Sequence, residues 1–226
     1  MLTADTELEG RVRAGLQSLD VDPAGGVSAA LTHFLLLLEK WNNAFNLTAV
    51  RDPREMVARH VLDSLTARPF LRGVSVLDVG TGAGLPGIPL ALVEPERQFF
   101  LLDSGGKKTR FVRHAIGELG LGNVEVVQAR VEAYVPAEPF DTVICRAFAS
   151  LRLFVDSCGA LAATDGRLIA MKGRALDEEV ANLPADWDVA ELVPLTVPGL
   201  AGERHLVVLE RKTPTRNDAD AAGLAR

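Results

Sequence analysis

The segment Asp78-Val79-Gly80-Thr81-Gly82-Ala83-Gly84 sets three alternating glycines directly behind a short apolar run, Ser75 to Val79, that carries a carboxylate near its end. Glycine is needed where backbone takes positive φ or lies close against a ligand. A strand followed by such a turn, with Leu85-Pro86 opening a helix, presents backbone amides at the carboxyl end of a sheet. Doubly wound folds bind their ligands there. Two ligand classes fit. Gly82-Ala83-Gly84-Leu85-Pro86-Gly87 satisfies the dinucleotide spacing G-x-G-x-x-G, a weak signal when it stands alone. Asp78 favours the other class, S-adenosylmethionine: a carboxylate there can hold the cationic amino group of the methionine moiety, directly or through water, and would repel pyrophosphate. The next run, Phe99-Phe100-Leu101-Leu102-Asp103, ends in an acid able to accept both ribose hydroxyls. Asp103 supports a nucleoside without choosing between the two cofactors.

A second set of candidates follows the run Phe140-Asp141-Thr142-Val143-Ile144. Enzymes that methylate exocyclic amino groups commonly carry N-P-P-Y or D-P-P-Y at that place, whereas this chain reads Cys145-Arg146-Ala147-Phe148-Ala149. Adenine-N6 and cytosine-N4 methylation are thereby disfavoured. Cys145 lacks the adjoining proline of a pyrimidine-C5 nucleophile and reads as a small buried hydrophobe. Arg146 can grip a phosphate or a guanine edge bidentately, or make a surface ion pair. Lys172 holds the equivalent place after the fifth run and can take a substrate phosphate. Lys107, Lys108, Arg110 and Arg113 form a basic strip; such strips are commonly solvated faces, but Lys107 falls near the helix start and the expected cleft.

These residues need a frame. Strand-like runs at Val74–Val79, Gln98–Asp103, Val124–Gln128, Thr142–Cys145 and Arg167–Met171 alternate with helical stretches at 85–94, 106–119 and 150–162. Alternation of that kind predicts βαβ units and a mostly parallel sheet covered on both faces. Only seven residues separate the last two runs, Val189–Val197 and His205–Glu210, so they should form an antiparallel hairpin at one sheet edge. The expected fold class is therefore α/β, a doubly wound Rossmann-like sheet of the class I methyltransferase type with a C-terminal hairpin. Residues 1–72 read as a helical extension packed on a 73–212 catalytic domain, and 213–226 as a frayed tail. Leu31, Phe34, Leu35, Leu38 and Trp41 mark one helical stripe. Pro53, with Asp52 as N-cap, starts another that carries Met56, Val57, His60, Val61 and Leu65.

Composition narrows the function classes. The net charge of −6 argues against a protein that coats nucleic acid nonspecifically, though not against an RNA enzyme whose cations gather at one cleft. Two cysteines, Cys145 and Cys158, provide neither a disulfide framework nor a metal cluster, and a reducing cytoplasm is expected. The longest near-apolar run, Phe34–Leu38, is far below the roughly 20 residues of a membrane span. Asp5, Glu7 and Glu9 do not make the basic-then-apolar start of a signal peptide.

Taken in order, several stretches resemble one family, the bacterial 16S ribosomal RNA guanine-N7 methyltransferases, also called glucose-inhibited division protein B. They include Lys40-Trp41-Asn42, Phe45-Asn46-Leu47-Thr48, Arg59-His60-Val61-Leu62-Asp63-Ser64 and the turn from Asp78 to Pro89. Leu101-Leu102-Asp103-Ser104, Arg146-Ala147-Phe148-Ala149-Ser150, Met171-Lys172-Gly173 and Gly202-Glu203-Arg204-His205-Leu206 continue it. Ser104-Gly105-Gly106, with an extra glycine, departs from the pattern. The resemblance implies methyl transfer from S-adenosylmethionine to a guanine N7 in the small-subunit 16S ribosomal RNA. It implies a cofactor site on Gly80, Leu85, Val131-Glu132 and Arg146, to which the residues' own chemistry adds Asp78, Gly82, Gly84 and Asp103.

Arg146 is the candidate catalytic residue. Lys107, Lys172 and Arg204 are candidate RNA contacts, and no metal is expected. Guanine N7 carries an in-plane lone pair and no proton, so the reaction needs alignment rather than a base. His60 and His205 accordingly read as packing or RNA-contacting groups. Asn42, Asn46, Arg59 and Asp63 either dock the N-terminal helices or form a substrate-facing wall, with docking favoured for most. The expected enzyme is a monomer. Two other readings stand beside it: an NAD(P)-dependent oxidoreductase using Gly82–Gly87, and a noncatalytic RNA-binding module on the same fold.

Overall fold

A computed structural model describes residues 2–146, 148–173 and 177–212, with the side chains of residues 2–4 left aside. The stretch 213–226, expected as a tail, lies outside the described residues. Helices α1 (Leu2–Gln17) and α2 (Val27–Phe45) lead the chain. On α2, Leu31, Phe34, Leu35 and Leu38 are fully buried, as the apolar stripe requires. Asp52 caps α3 (Pro53–Met56), its carboxylate accepting from the Arg54 amide, with Pro53 in the first turn. The stripe that follows is not one regular α-helix. Val57–Leu62 widens into a π-helical turn before α4 (Asp63–Leu65), a form often found at functional sites.

From there strands and helices alternate: β1 (Ser75–Val79), α5 (Gly87–Val93), β2 (Gln98–Leu102), α6 (Gly106–Leu119), β3 (Val124–Val127), β4 (Phe140–Cys145), α7 (Leu151–Cys158) and β5 (Ala162–Lys172). A short α8 (Asp177–Ala181) precedes β6 (Trp187–Pro194) and β7 (His205–Arg211). The seven strands lie in the order β3-β2-β1-β4-β5-β7-β6. Neighbours from β3 to β5 are parallel, while β7 runs antiparallel to both β5 and β6. The expected hairpin is present, with β6 on the outer edge. Its first strand starts and ends earlier than expected, because Trp187 is buried and the chain turns away after Pro194. The helix after the glycine turn begins at Gly87 rather than at Leu85, after a cis Leu85–Pro86 bond.

The pleat divides the core between the two faces of the sheet. Val76, Phe99, Leu101, Ile144, Ile169 and Val208 point toward α1, α2, α5 and α6. Leu77, Leu102, Val143, Leu168 and Leu209 point toward α7 and Trp187. The N-terminal helices thus share one apolar cluster with the sheet. Among the described residues, no helix is long and apolar enough to cross a membrane, and no group of acids, histidines and cysteines is placed to hold a metal.

Candidate active site

Register places the cofactor candidates. Val79 pairs with Leu102, so Gly80 and Asp103 leave the sheet side by side. The Gly80 and Thr81 amides both donate to the Leu102 carbonyl, at 2.8 and 3.0 Å, which fastens the turn to β2. Gly80, Gly82 and Gly84 have φ of 71, 58 and 81°, the left-handed region that disfavours any side chain. Their surroundings differ. A β-carbon on Gly84 would run into the Ile88 side chain, whereas one on Gly80 would meet nothing within 4 Å.

The two acids have different tasks. Asp78 is fully buried; its Oδ2 accepts from the Thr81 hydroxyl at 2.6 Å and from the Gly87 amide at 2.9 Å. Its Oδ1 is buried with no partner. Burial pushes the Asp78 carboxyl up to about 7, despite the opposing pull of those hydrogen bonds and of Arg146. Asp103 accepts from the Gly82 amide at 3.0 Å, the Gly105 amide at 2.8 Å and Lys108 Nζ at 3.3 Å. These bonds answer the dinucleotide question. Carboxylates occupy the Gly82 and Gly87 amides, carbonyls those of Gly80, Thr81, Gly84 and Leu85, and Pro86 has none, so few donors remain in the turn to cradle a pyrophosphate.

Gly80, Asp103, Lys108, Val131, Glu132 and Phe148 line a cavity of about 320 Å³ at this edge. Val131-Glu132 enters it on a short 3-10 turn after β3. The donor set suits S-adenosylmethionine: Asp103 for ribose hydroxyls, Val131-Glu132 for the adenine edge, and bare backbone at Gly80 for close approach. The orphaned Oδ1 of Asp78 suits a cationic group. Gly82, Gly84 and Leu85 shape the turn from outside the cavity lining, Leu85 as part of the buried core.

Arg146 lies two residues beyond Ile144, which pairs with Asp78 of β1. Lys172 pairs with His205 across β5 and β7, so Arg204 arrives at the same end of the sheet. Arg59, Asp63, Arg146, Lys172, Arg204 and His205 line a cavity of about 330 Å³ there. Arg146 Nη1 donates to Ser64 Oγ at 3.3 Å and lies 3.7 Å from Asp63 Oδ2; Arg204 Nε lies 3.5 Å from Asp63 Oδ1. Burial raises the Asp63 carboxyl against the pull of both arginines. The Arg146 guanidinium is lowered by burial yet stays a cation. His60, walled in beside Thr48 Oγ1 at 2.9 Å, is pushed down to about 4 by burial and by Arg146. It is neutral at neutral pH and so is not an imidazolium acid.

The structure brings Arg146, Lys172 and Arg204 together but not Lys107, which is exposed on α6 away from both cavities, while its neighbour Lys108 lines the first. Lys172 is already engaged: its Nζ donates to the Phe148 carbonyl at 3.0 Å and pairs with Glu179 at 2.9 Å. Asn42 and Asn46 dock, Asn42 through the Val50 carbonyl and Thr48 amide, Asn46 through Arg51. Arg59 and Asp63 instead line the second cavity. Ser64 and Thr81 fall inside the sequence motifs, but the sequence alone assigns them no role; the structure bonds Ser64 to Arg146 and Thr81 to Asp78. His60, Asp63 and Ser64 stand at i, i+3 and i+4 within an apolar stripe, a polar face whose burial was the available signal.

The family described as rRNA small subunit methyltransferase G matches residues 28–207. A ribosomal RNA small subunit methyltransferase G of Marinobacter nauticus is 52% identical over 202 residues, 89% of this chain and 94% of that protein. One of Klebsiella pneumoniae is 54% identical over 183 residues, 81% of this chain and 88% of that protein. In fold, the chain is similar to the glycopeptide N-methyltransferase MtfA, solved with S-adenosyl-L-homocysteine, with a TM-score of 0.59 at 13% identity over 68% of this chain and 87% of that one. The turn that leaves few amides for a pyrophosphate agrees with these likenesses: the chain belongs to the rRNA small subunit methyltransferase G family, whose methyl donor is S-adenosylmethionine.

Proposed function

We propose that the protein transfers the methyl group of S-adenosylmethionine to N7 of a guanine in the 16S ribosomal RNA of the small subunit. The observation that carries this reading is the placement of two cavities at the carboxyl end of the sheet, one suited to the cofactor and one lined by cations around Arg146. When bound, the cofactor supplies an electrophilic methyl group on a sulfonium. Gly80, Gly82, Gly84 and Leu85 hold its approach, Asp103 its ribose, Val131 and Glu132 its adenine, and Asp78 its amino group. Arg146, which the resemblance also puts in the cofactor site, aligns the target nucleotide against the cofactor. No side chain has to remove a proton, because the nucleophile is a lone pair that carries none.

Arg204 contacts RNA directly. Lys172 contributes through its place at the cavity wall and Lys107 from the exposed face of α6. Residues 1–72 form a helical segment packed on the 73–212 methyltransferase domain, and their Asp63 and Ser64 reach into the site. The enzyme acts as a monomer in the cytoplasm. The test incubates the protein with small subunits lacking N7 methylation and labelled cofactor, then maps N7-methylguanine by primer extension. Label at one guanine N7 of 16S RNA is expected. Label on another atom, or none on any state of that RNA, removes the reading.

A further inference from the structure

The basic cavity holds one carboxylate among its lining residues, and that carboxylate sits between two arginines. Asp63 Oδ1 lies 3.5 Å from Arg204 Nε, and Oδ2 lies 3.7 Å from Arg146 Nη1. Ser64, the next residue, accepts from Arg146 Nη1 and donates to the His60 carbonyl. The π-helical turn at Val57–Leu62 delivers both groups: the Asp63 amide bonds to the Ala58 carbonyl, five residues back, as well as to that of His60. Arg146 and Arg204 come from separate segments and carry like charges in a half-buried place, their side chains 24% and 31% exposed. Without a carboxylate between them they would repel and turn to solvent. Each guanidinium has five N–H donors. Among the described contacts, Arg146 commits only Nη1, and Arg204 commits Nη1 to the Glu203 carbonyl and Nε toward Asp63. The rest remain for a ligand.

The charge of the cavity decides which ligand. Lys172 is neutralised by Glu179 and Arg59 is paired with Glu55, but Arg146 and Arg204 still leave an excess of positive charge over Asp63, on a chain whose net charge is −6. N7 methylation leaves the guanine ring positively charged. An arginine-lined cavity opposes that charge and suits an anion. We infer that Arg146 and Arg204, spaced by Asp63, form a two-pronged site for a backbone phosphate of the target RNA, with Asp63 as the positioning residue. The inference rests on the proposed methylation for its RNA, but the anion site stands apart from it: planar guanidinium forks bind phosphate oxygens wherever they are held in register.

The test titrates the whole isotopically labelled protein with inorganic phosphate and follows the arginine Nε–Hε resonances by NMR. The Arg146 and Arg204 resonances, assigned by single substitution, are expected to move together. Asp63→Asn has a telling sign. Deleting a carboxylate beside an anion site strengthens anion binding if the carboxylate is only a neighbouring charge. Positioning demands the reverse: a phosphate Kd about tenfold higher in Asp63→Asn, the loss of roughly one charge-assisted hydrogen bond, with Asp63→Glu recovering part of it. In methylation assays the KM for RNA should rise in Asp63→Asn by a similar factor, and kcat should fall by less. Phosphate that moves neither resonance, or that binds Asp63→Asn as tightly as the parent, overturns the site. Failure of methylation on every ribosomal RNA state, with phosphate binding intact, overturns the function reading instead.

Discussion

The cavity suited to the cofactor is lined by short stretches at the ends of β1, β2 and β3, from Val79-Gly80 to Val131-Glu132, with Phe148 beyond β4. The basic cavity gathers Asp63, Arg146 and Arg204 from three distant segments, joined through ion pairs of 3.5 and 3.7 Å. In the first, position is set by backbone hydrogen bonds to neighbouring strands, which barely depend on side-chain conformation. In the second, position depends on how one carboxylate balances two cations. The contrast teaches that the cofactor site should respond to substitutions at backbone and buried acids, and the basic site to single changes of charge.

The largest expected effect lies in the basic cavity. Arg146→Ala should lower kcat/KM for methylation on the order of 10²- to 10³-fold, the range for removing a charged group that acts on the reacting complex. The fold should persist, because its ion partner Asp63 keeps Arg204 at 3.5 Å. Single-turnover assays with labelled cofactor, alongside circular dichroism, check both halves. Turnover within a few-fold of the parent would place Arg146 outside the reaction and erase the distinction between the cavities.

Asp78 tests the other side of the comparison through pH. Its carboxyl is raised from 3.8 to about 7 in the folded chain, so the folded state holds a proton that the unfolded state has released. Stability is therefore fullest below about pH 4 and falls as pH rises toward 7, by up to about 4 kcal/mol as a linkage ceiling. Asp78→Asn should flatten this dependence in urea unfolding between pH 4 and 8. The same substitution should weaken binding of S-adenosylhomocysteine by about tenfold near pH 8, where the parent carboxylate is ionised. In the parent, affinity should drop as pH falls below 7. Calorimetry at three pH values reads this, and an affinity indifferent to both pH and substitution would make Asp78 a brace for Thr81 and Gly87 alone.

The contrast also explains what could be read without coordinates. The turn was legible because Gly80, Gly82, Gly84, Asp78 and Asp103 declare their role through local spacing and the strand order that alternation implies. The hairpin followed from a connection too short for a crossover helix. The basic cavity was legible only in part. Arg146 and Lys172 could be placed at strand ends, but nothing in their neighbourhood names Glu179 as the partner of Lys172 or Asp63 as the hinge between Arg146 and Arg204. Such pairings come from register across β5 and β7 and from the docking of the N-terminal helices. The π-helical turn was invisible for a related reason: an apolar stripe of period near 3.6 tolerates one added residue while its buried face is kept.

Within the glycine turn, two substitutions of identical chemistry should part company. Gly84→Ala adds a β-carbon at a positive φ and drives it into Ile88, so about 1–3 kcal/mol of stability should be lost. Gly80→Ala suffers the same backbone strain, roughly 1 kcal/mol, but no collision, since nothing lies within 4 Å of the added atom. Its cost should appear as weaker cofactor binding. Chemical unfolding paired with calorimetry separates the two. Equal losses of stability, with unchanged affinity in Gly80→Ala, would mean that the open space above Gly80 is not where the cofactor approaches.

The smallest effect belongs to the exposed strip on α6. Lys107 has an exposed side chain away from both cavities, whereas Lys172 is tied to Glu179 and the Phe148 carbonyl. If Lys107 touches an RNA phosphate, Lys107→Ala should raise the KM for RNA about twofold and reduce the slope of log affinity against log salt by about 0.7–0.9, one counterion's worth. Stability should stay within about 0.5 kcal/mol, as for a surface change away from any structural feature. Lys172→Ala should do the opposite, lowering stability by about 1–3 kcal/mol because Glu179 is left half-buried without its cation, and leaving the salt slope nearly unchanged. A salt slope that follows Lys172 and ignores Lys107 would confine RNA binding to the arginine cavity and sharpen the division between a cofactor edge built of backbone and a substrate edge built of charge.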